Sequence, residues 1–147
     1  MSSIWKPEEK LIWNRTASAP IGLYWVSDGP YKSGDWVIGS ADSDHAGWAE
    51  AHGFVGRDWP LLKRISAING DEICRSFSTI SINGIAIARA KTVDFKNEIL
   101  PVWSGCVRLN ESQVFLLNEH EDSLDGRYFG PTKKADLVGR AHKIDLF

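Results

Sequence analysis

Short runs of strand-forming residues, separated by turn residues, dominate the chain from residue 21 onward. Apolar and β-branched residues alternate with Gly, Asn, Asp and Ser, a pattern typical of antiparallel β-sheet. Asn83-Gly84 lies between two apolar runs, and both residues tolerate the positive φ angles of a two-residue hairpin turn. The sequence therefore predicts a mostly β fold with a hairpin at this point. The expected strands are 21–26, 35–39, 61–68, 72–75, 80–83, 84–88, 106–109, 114–117 and 137–141.

The segment 41–60 interrupts this pattern of strands and turns. Residues 46–54 contain helix-forming Ala and Glu together with Gly53, which suits a helix end, so one short helix is expected inside a long excursion. Long excursions from compact domains are often lids or binding loops. We therefore expect Trp48 and Phe54 to approach the substrate or a membrane.

Length and composition favour one globular domain spanning residues 1–147, because 147 residues with 43% hydrophobic content can bury a real core. The 17 basic and 19 acidic residues are scattered and leave a net charge of -2, which gives little support to nucleic-acid binding. No apolar run is long enough to cross a bilayer, and residues 1–9 are too polar for a signal peptide. The chain as given is therefore expected to be soluble.

Cysteine and histidine residues suggest no metal site. Cys74 and Cys106 are compatible with one disulfide or with two buried thiols. The four histidines have no close ligand spacing, so neither a metal nor another cofactor is predicted.

Three separate segments carry groups that could act together. Ser18 lies among small residues before Pro20, which restricts the local backbone. Lys63 lies in an apolar run, where burial would disfavour the charged amine and make it a usable base. Residues 122–131 are rich in polar groups that need mutual hydrogen bonds if they are buried. Each segment alone is better explained by an ordinary role, namely a turn serine, a solvated lysine or a polar turn.

Taken together and in order, these segments resemble the motifs of the type I signal peptidase family. The match is closest to its conjugative-transfer branch, the TraF-type peptidases. Residues 14–24 resemble the serine box, 33–37 the Gly-Asp strand that follows it, 62–71 the lysine box and 123–130 the final box. The resemblance extends from about residue 14 to residue 142 and implies a barrel-like β catalytic domain.

The resemblance also implies a Ser/Lys catalytic dyad. Ser18 would attack the scissile carbonyl, and neutral Lys63 would take its proton and later give one to the leaving amine. The backbone N–H of Ser18 and the hydroxyl of Thr16 would form the oxyanion hole, while Ser123 would orient the Lys63 amine. A structural ion-pair cluster is expected from Arg64, Asp125 and Arg127.

The implied substrate is a protein precursor such as a conjugative pilin, whose leader or propeptide is removed and whose product is either released by hydrolysis or cyclised. It would add as an extended strand, with one side of its path formed by residues 59–62. The contacts beside Ser18 and Lys63 are expected from Ala19, Pro20, Trp59, Pro60, Leu61 and Leu62.

The implied setting is the periplasmic face of the bacterial inner membrane, with the membrane surface as a second partner. The family usually carries an N-terminal anchor, which this sequence lacks, and we expect it to have been removed. An extracytoplasmic site and an even cysteine count then favour a disulfide between Cys74 and Cys106.

Two departures and several alternatives accompany this interpretation. Many family members have Gly-Asp-Asn where this chain has residues 117–119, and serine where it has Gly126. A Ser18, His120, Asp122 triad is one alternative. Others are a general signal peptidase, a non-catalytic peptide- or pilin-binding β domain and a self-cleaving repressor-type domain. The last would need an Ala-Gly or Cys-Gly site before Ser18, and the preceding residues contain neither.

Overall fold

The computed structural model describes residues 11–14, 22–39, 61–93, 97–119 and 123–144, with the side chains of 11–14 and 61 left out of the description. These ranges contain eleven strands, one short α-helix, α1 (Gly126–Phe129), and a 3-10 turn (Lys134–Asp136). The strands are β1 (Leu11–Asn14), β2 (Gly22–Ser27), β3 (Trp36–Gly39), β4 (Leu61–Ala67), β5 (Glu72–Ser76), β6 (Thr79–Ile82), β7 (Ile85–Arg89), β8 (Gly105–Arg108), β9 (Gln113–Leu117), β10 (Thr132–Lys133) and β11 (Leu137–Lys143).

The described strands form two antiparallel sheets. The larger has seven strands in the order β1-β2-β11-β3-β4-β9-β10, and the smaller has four in the order β7-β6-β5-β8. The last strand, β11, therefore lies inside the larger sheet, between β2 and β3. The prediction of a mostly β, antiparallel fold is confirmed.

The hairpin between β6 and β7 has the predicted two-residue turn. Asn83 and Gly84 both adopt positive φ angles, 51° and 83°, as a turn of this type requires. The Asn83 side chain accepts a hydrogen bond from the Glu72 N–H at 2.9 Å and donates one to Asp71 at 3.0 Å. The turn is thus tied to the start of β5, which helps to fix the register of the smaller sheet.

A shared hydrophobic core joins the two sheets. Ala67 and Phe115 of the larger sheet pack in one buried cluster with Ile73 and Ile80 of the smaller sheet. The aromatic ring of Trp103, which precedes β8, lies edge-on to Phe115 with 6.2 Å between ring centroids. The smaller sheet is therefore packed against β4 and β9, the strands that carry the polar site described below.

Some elements differ from the sequence prediction. The helix expected at 46–54 falls outside the described residues, whereas α1, β1 and β10 were not expected. β11 also continues two residues beyond the predicted end, to Lys143. Within the described ranges, no helix is long and apolar enough to span a bilayer.

Candidate active site

Lys63 lies in the middle of β4 and points into the protein. β4 is flanked by β3 and β9, and its Lys63 side chain is only 7% exposed. The amine donates a hydrogen bond to the Ser123 hydroxyl, with 3.4 Å between Nζ and Oγ. A strand in the interior of a sheet has little freedom to move, so the amine is held in a defined position.

The pKa of Lys63 is lowered from 10.5 to about 8. The main cause is burial, which penalises the charged amine. Asp125 opposes this effect by attracting the ammonium, and Arg127 adds to it by repulsion. Roughly a tenth of the amine is therefore neutral near pH 7, compared with well under a thousandth for an ordinary lysine. The neutral form can accept a proton from a nearby hydroxyl.

Asp125 is a fully buried carboxylate with several partners. Its Oδ2 accepts a hydrogen bond from the Asn118 N–H at 2.9 Å, and its Oδ1 accepts one from the Arg127 N–H at 3.0 Å, which caps the start of α1. The Arg127 Nη1 lies 3.5 Å from Oδ2. Burial raises the pKa of Asp125, while Arg127 and Lys63 act in the opposite direction.

Asn118 connects this carboxylate to the lysine strand. Its Oδ1 accepts a hydrogen bond from the Arg64 N–H at 3.1 Å, and its Nδ2 donates to the Leu62 carbonyl at 3.2 Å. These are the two residues on either side of Lys63. Arg127 Nη2 donates to the Asn118 carbonyl at 2.8 Å. The resemblance to the family marks this position as a departure and implies no role for it. The signal in the sequence is an asparagine directly after the apolar run 114–117.

The expected ion-pair cluster is divided in the structure. Arg127 pairs with Asp125, but Arg64 lies apart and forms an exposed ion pair with Glu119, at 3.6 Å. Adjacent residues on a strand point to opposite faces, so Arg64 cannot share the face that Lys63 occupies. The Arg64 guanidinium instead donates to the Gly34 carbonyl at 3.3 Å and lies 5.8 Å from the centre of the Trp36 ring.

Gly126, the other departure, has a steric explanation. A Cβ atom at this position would lie 2.5 Å from the Phe115 ring and 2.7 Å from the Leu116 carbonyl. The backbone of α1 passes too close to β9 to accommodate any side chain. The serine found here in many family members therefore does not fit this packing.

Most of the residues predicted to contact the substrate lie outside the described ranges, and so do all three residues of the alternative triad. Leu61 is in β4, where its side chain is not described, while Leu62 is 2% exposed and packs with Tyr24 and Ile38. Leu62 is thus a core residue rather than the expected substrate contact, because its side chain faces away from the surface. The predicted residues outside the described ranges are Thr16, Ser18, Ala19, Pro20, Trp59, Pro60, His120 and Asp122, together with Trp48 and Phe54.

Cys74 and Cys106 form a disulfide between directly opposed residues of β5 and β8. Within the described ranges, the two sulfur atoms and the Glu72 carboxylate form the one group of potential metal ligands that lie close together. Sulfur in a disulfide lacks the thiolate charge that binds metal ions. The arrangement is therefore a cross-strand link rather than a metal site.

Comparison with known proteins identifies similar sequences and a similar structure. A profile of the signal peptidase family, peptidase S26, matches residues 1–144. Two plasmid transfer proteins TraF of Escherichia coli are similar to the chain. One is 31% identical over 137 residues, which cover 85% of this chain and 77% of the relative. The other is 28% identical over 135 residues, covering 84% and 76%. A crystal structure of a signal peptidase I from Enterococcus faecalis is 21% identical, with coverage of 78% of this chain and 98% of that chain and a TM-score of 0.43.

Proposed function

Because the chain belongs to the signal peptidase family, peptidase S26, we propose that it is a serine endopeptidase that uses Ser18 as nucleophile and Lys63 as general base. Its substrate is a protein precursor from which it removes a leader or propeptide. The single observation that carries the catalytic part of this proposal is the environment of Lys63. A buried amine with a pKa of about 8, hydrogen-bonded to Ser123, is suited to proton transfer near neutral pH.

In the proposed reaction, neutral Lys63 takes the proton from the Ser18 hydroxyl as Oγ attacks the scissile carbonyl. The Ser18 N–H and the Thr16 hydroxyl donate to the oxyanion that forms. Protonated Lys63 then gives its proton to the leaving amine, which leaves an acyl-enzyme on Ser18. Water attacks this ester in hydrolysis, and a peptide amine attacks it in transpeptidation.

The supporting residues have separate roles in this proposal. Ser123 orients the Lys63 amine through its hydroxyl. Asp125 compensates the charge that the lysine gains, and its own charge is balanced by Arg127, 3.5 Å away. Asn118 holds the peptide groups on both sides of Lys63, so that the amine keeps its direction when it changes protonation state.

The similar proteins support the proposed substrate and setting. Two relatives are plasmid transfer proteins, so the proposed substrate is a conjugative pilin precursor, matured by hydrolysis or by cyclisation at the periplasmic face of the inner membrane. A precursor with an ordinary signal peptide is the alternative substrate.

The test is to incubate the protein with each precursor in detergent micelles or vesicles and to measure the products by mass spectrometry. Ser18→Ala and Lys63→Met should abolish cleavage, while Lys133→Met, at an exposed lysine on β10, should leave the rate unchanged. A cyclic product differs from the hydrolysed one by the mass of one water. Cleavage that survives both dyad substitutions but is lost in His120→Ala would replace the dyad with the triad.

A further inference from the structure

We infer that Arg75 and Trp103, which belong to the smaller sheet and the segment leading into β8, are positioning residues for Lys63. Their hydrogen bonds fix α1, the helix that is capped by Asp125 and carries Arg127. The inference rests on the proposed role of Lys63 as general base. The smaller sheet thereby contributes to catalysis, although none of its described residues forms a hydrogen bond with the Lys63 amine.

Arg75 connects the smaller sheet to α1. It is 3% exposed and lies on the same face of β5 as Ile73. Its Nη1 donates to the Arg127 carbonyl at 2.7 Å, and its Nε donates to the Phe77 carbonyl at 2.8 Å. The guanidinium is therefore held at both ends, by the turn after β5 and by the helix.

Trp103 binds the same part of the helix from a second direction. Its indole N–H donates to the Gly126 carbonyl at 2.9 Å and the Arg127 carbonyl at 3.0 Å. A helix of four residues leaves most of its carbonyls without an internal partner. A helix this short is also unstable without external contacts. A third connection runs from the Lys91 N–H to the Tyr128 hydroxyl, at 3.0 Å.

The fixed helix determines which charges face the lysine. β3 and β9, on either side of β4, contain no ionisable side chain. Among the described residues, the charged groups facing Lys63 come from the α1 region and are Asp125 and Arg127, whereas Arg64 forms its exposed ion pair on the opposite face. Arg127 Nη1 also donates to the Ser123 carbonyl at 3.4 Å. Movement of α1 would therefore disturb Ser123 and admit water beside the amine.

The experiment compares Trp103→Phe, which removes one N–H and keeps most of the ring packing, with Arg75→Met. Matched controls are Trp25→Phe and Arg89→Met. Trp25 stacks on His142 in the larger sheet, and Arg89 donates to Ser78 in the smaller one. Two quantities are measured for each protein, the steady-state rate of precursor cleavage and the pKa of Lys63. The pKa is obtained from an NMR titration of lysine labelled with 13C at the ε carbon, and the Lys63 signal is assigned by its absence in Lys63→Met.

For Trp103→Phe we expect kcat to fall between about tenfold and about a hundredfold, as small displacements of catalytic groups do, with KM nearly unchanged. The pKa of Lys63 and the pH midpoint of the kcat/KM profile should both rise, because a better hydrated site penalises the charged amine less. Loss of folded protein alone would lower the rate at every pH and leave both midpoints in place.

Three results separate the possible failures. Unchanged kcat and an unchanged Lys63 titration in Trp103→Phe, with Ser18→Ala inactive, would overturn this inference and leave the proposed function intact. Full activity of Ser18→Ala would overturn the proposed function instead. A raised Lys63 pKa in Trp103→Phe supports the positioning role by a measurement that does not depend on turnover. The same measurement tests the inference if Arg75→Met fails to fold.

Discussion

Replacing Lys63 with methionine should abolish proteolysis and yet make the folded protein more stable at neutral pH. Methionine has a similar length and flexibility but no charge to desolvate. The lowering of the Lys63 pKa from 10.5 to about 8 corresponds to roughly 3 kcal/mol of unfavourable free energy for the charged amine in the folded state. The wild type bears this cost at pH 7, and the variant does not.

The pH dependence distinguishes this effect from general repacking. Between about pH 8 and 10.5 the unfolded wild type binds more protons at Lys63 than the folded protein, so its stability rises with pH. At pH 10 most of the burial cost has disappeared. The stability advantage of Lys63→Met should therefore shrink by roughly 2 kcal/mol between pH 7 and pH 10. Loss of the hydrogen bond to Ser123 changes the advantage at both pH values and cancels in this comparison.

The assay is urea unfolding of wild type, Lys63→Met and the exposed control Lys133→Met at pH 7 and pH 10, with the disulfide intact. The chain has no cysteine beyond Cys74 and Cys106, so free thiols do not complicate the alkaline measurement. Titrating groups that do not interact with Lys63 affect wild type and Lys63→Met alike, whereas Asp125 loses a favourable interaction in the variant. An advantage of equal size at both pH values would refute the conclusion that burial lowers the pKa of Lys63.

Three further predictions concern the pH profile, the disulfide and the helix. The kcat/KM of the wild type should rise tenfold per pH unit below about 8 and level off above it; a profile that is flat from pH 6 to 8 would contradict Lys63 as the base. Mass analysis of protein made in the periplasm should find Cys74 linked to Cys106, and removing this link in a Cys74→Ser, Cys106→Ser double variant should cost about 2–4 kcal/mol of unfolding free energy. Gly126→Ala should lose about 1–3 kcal/mol, since its Cβ would overlap the Phe115 ring; an unchanged urea midpoint would contradict the close packing of α1 on β9.

Alternation and turn chemistry were sufficient to predict most of the described strands. Asn83-Gly84 identifies a hairpin by itself, because few dipeptides adopt two consecutive positive φ angles without strain. The division into two sheets was not predictable in this way. It depends on packing between residues far apart in sequence, such as Phe115 and Ile73, which belong to one buried cluster, and local patterns do not contain that information.

The polar site illustrates the same distinction. The order of the motifs, which resembles that of a known family, is sufficient to predict Lys63, Ser123, Asp125 and Arg127 as candidate site residues. The contacts of Asn118 and the close packing at Gly126 are not predictable from the sequence, since both depend on which strand lies beside them. Alternation along β4 would have been enough to separate Arg64 from Lys63.

The position of β11 has a consequence for how the larger sheet holds together. Within that sheet, the path from β2 to β3 and β4 runs through β11. β11 pairs with β2 on one side and with β3 on the other, so Leu137–Lys143 is the hydrogen-bonded link between two parts of the sheet. A chain truncated before residue 137 would therefore lose the connection between β2 and the strands on either side of Lys63.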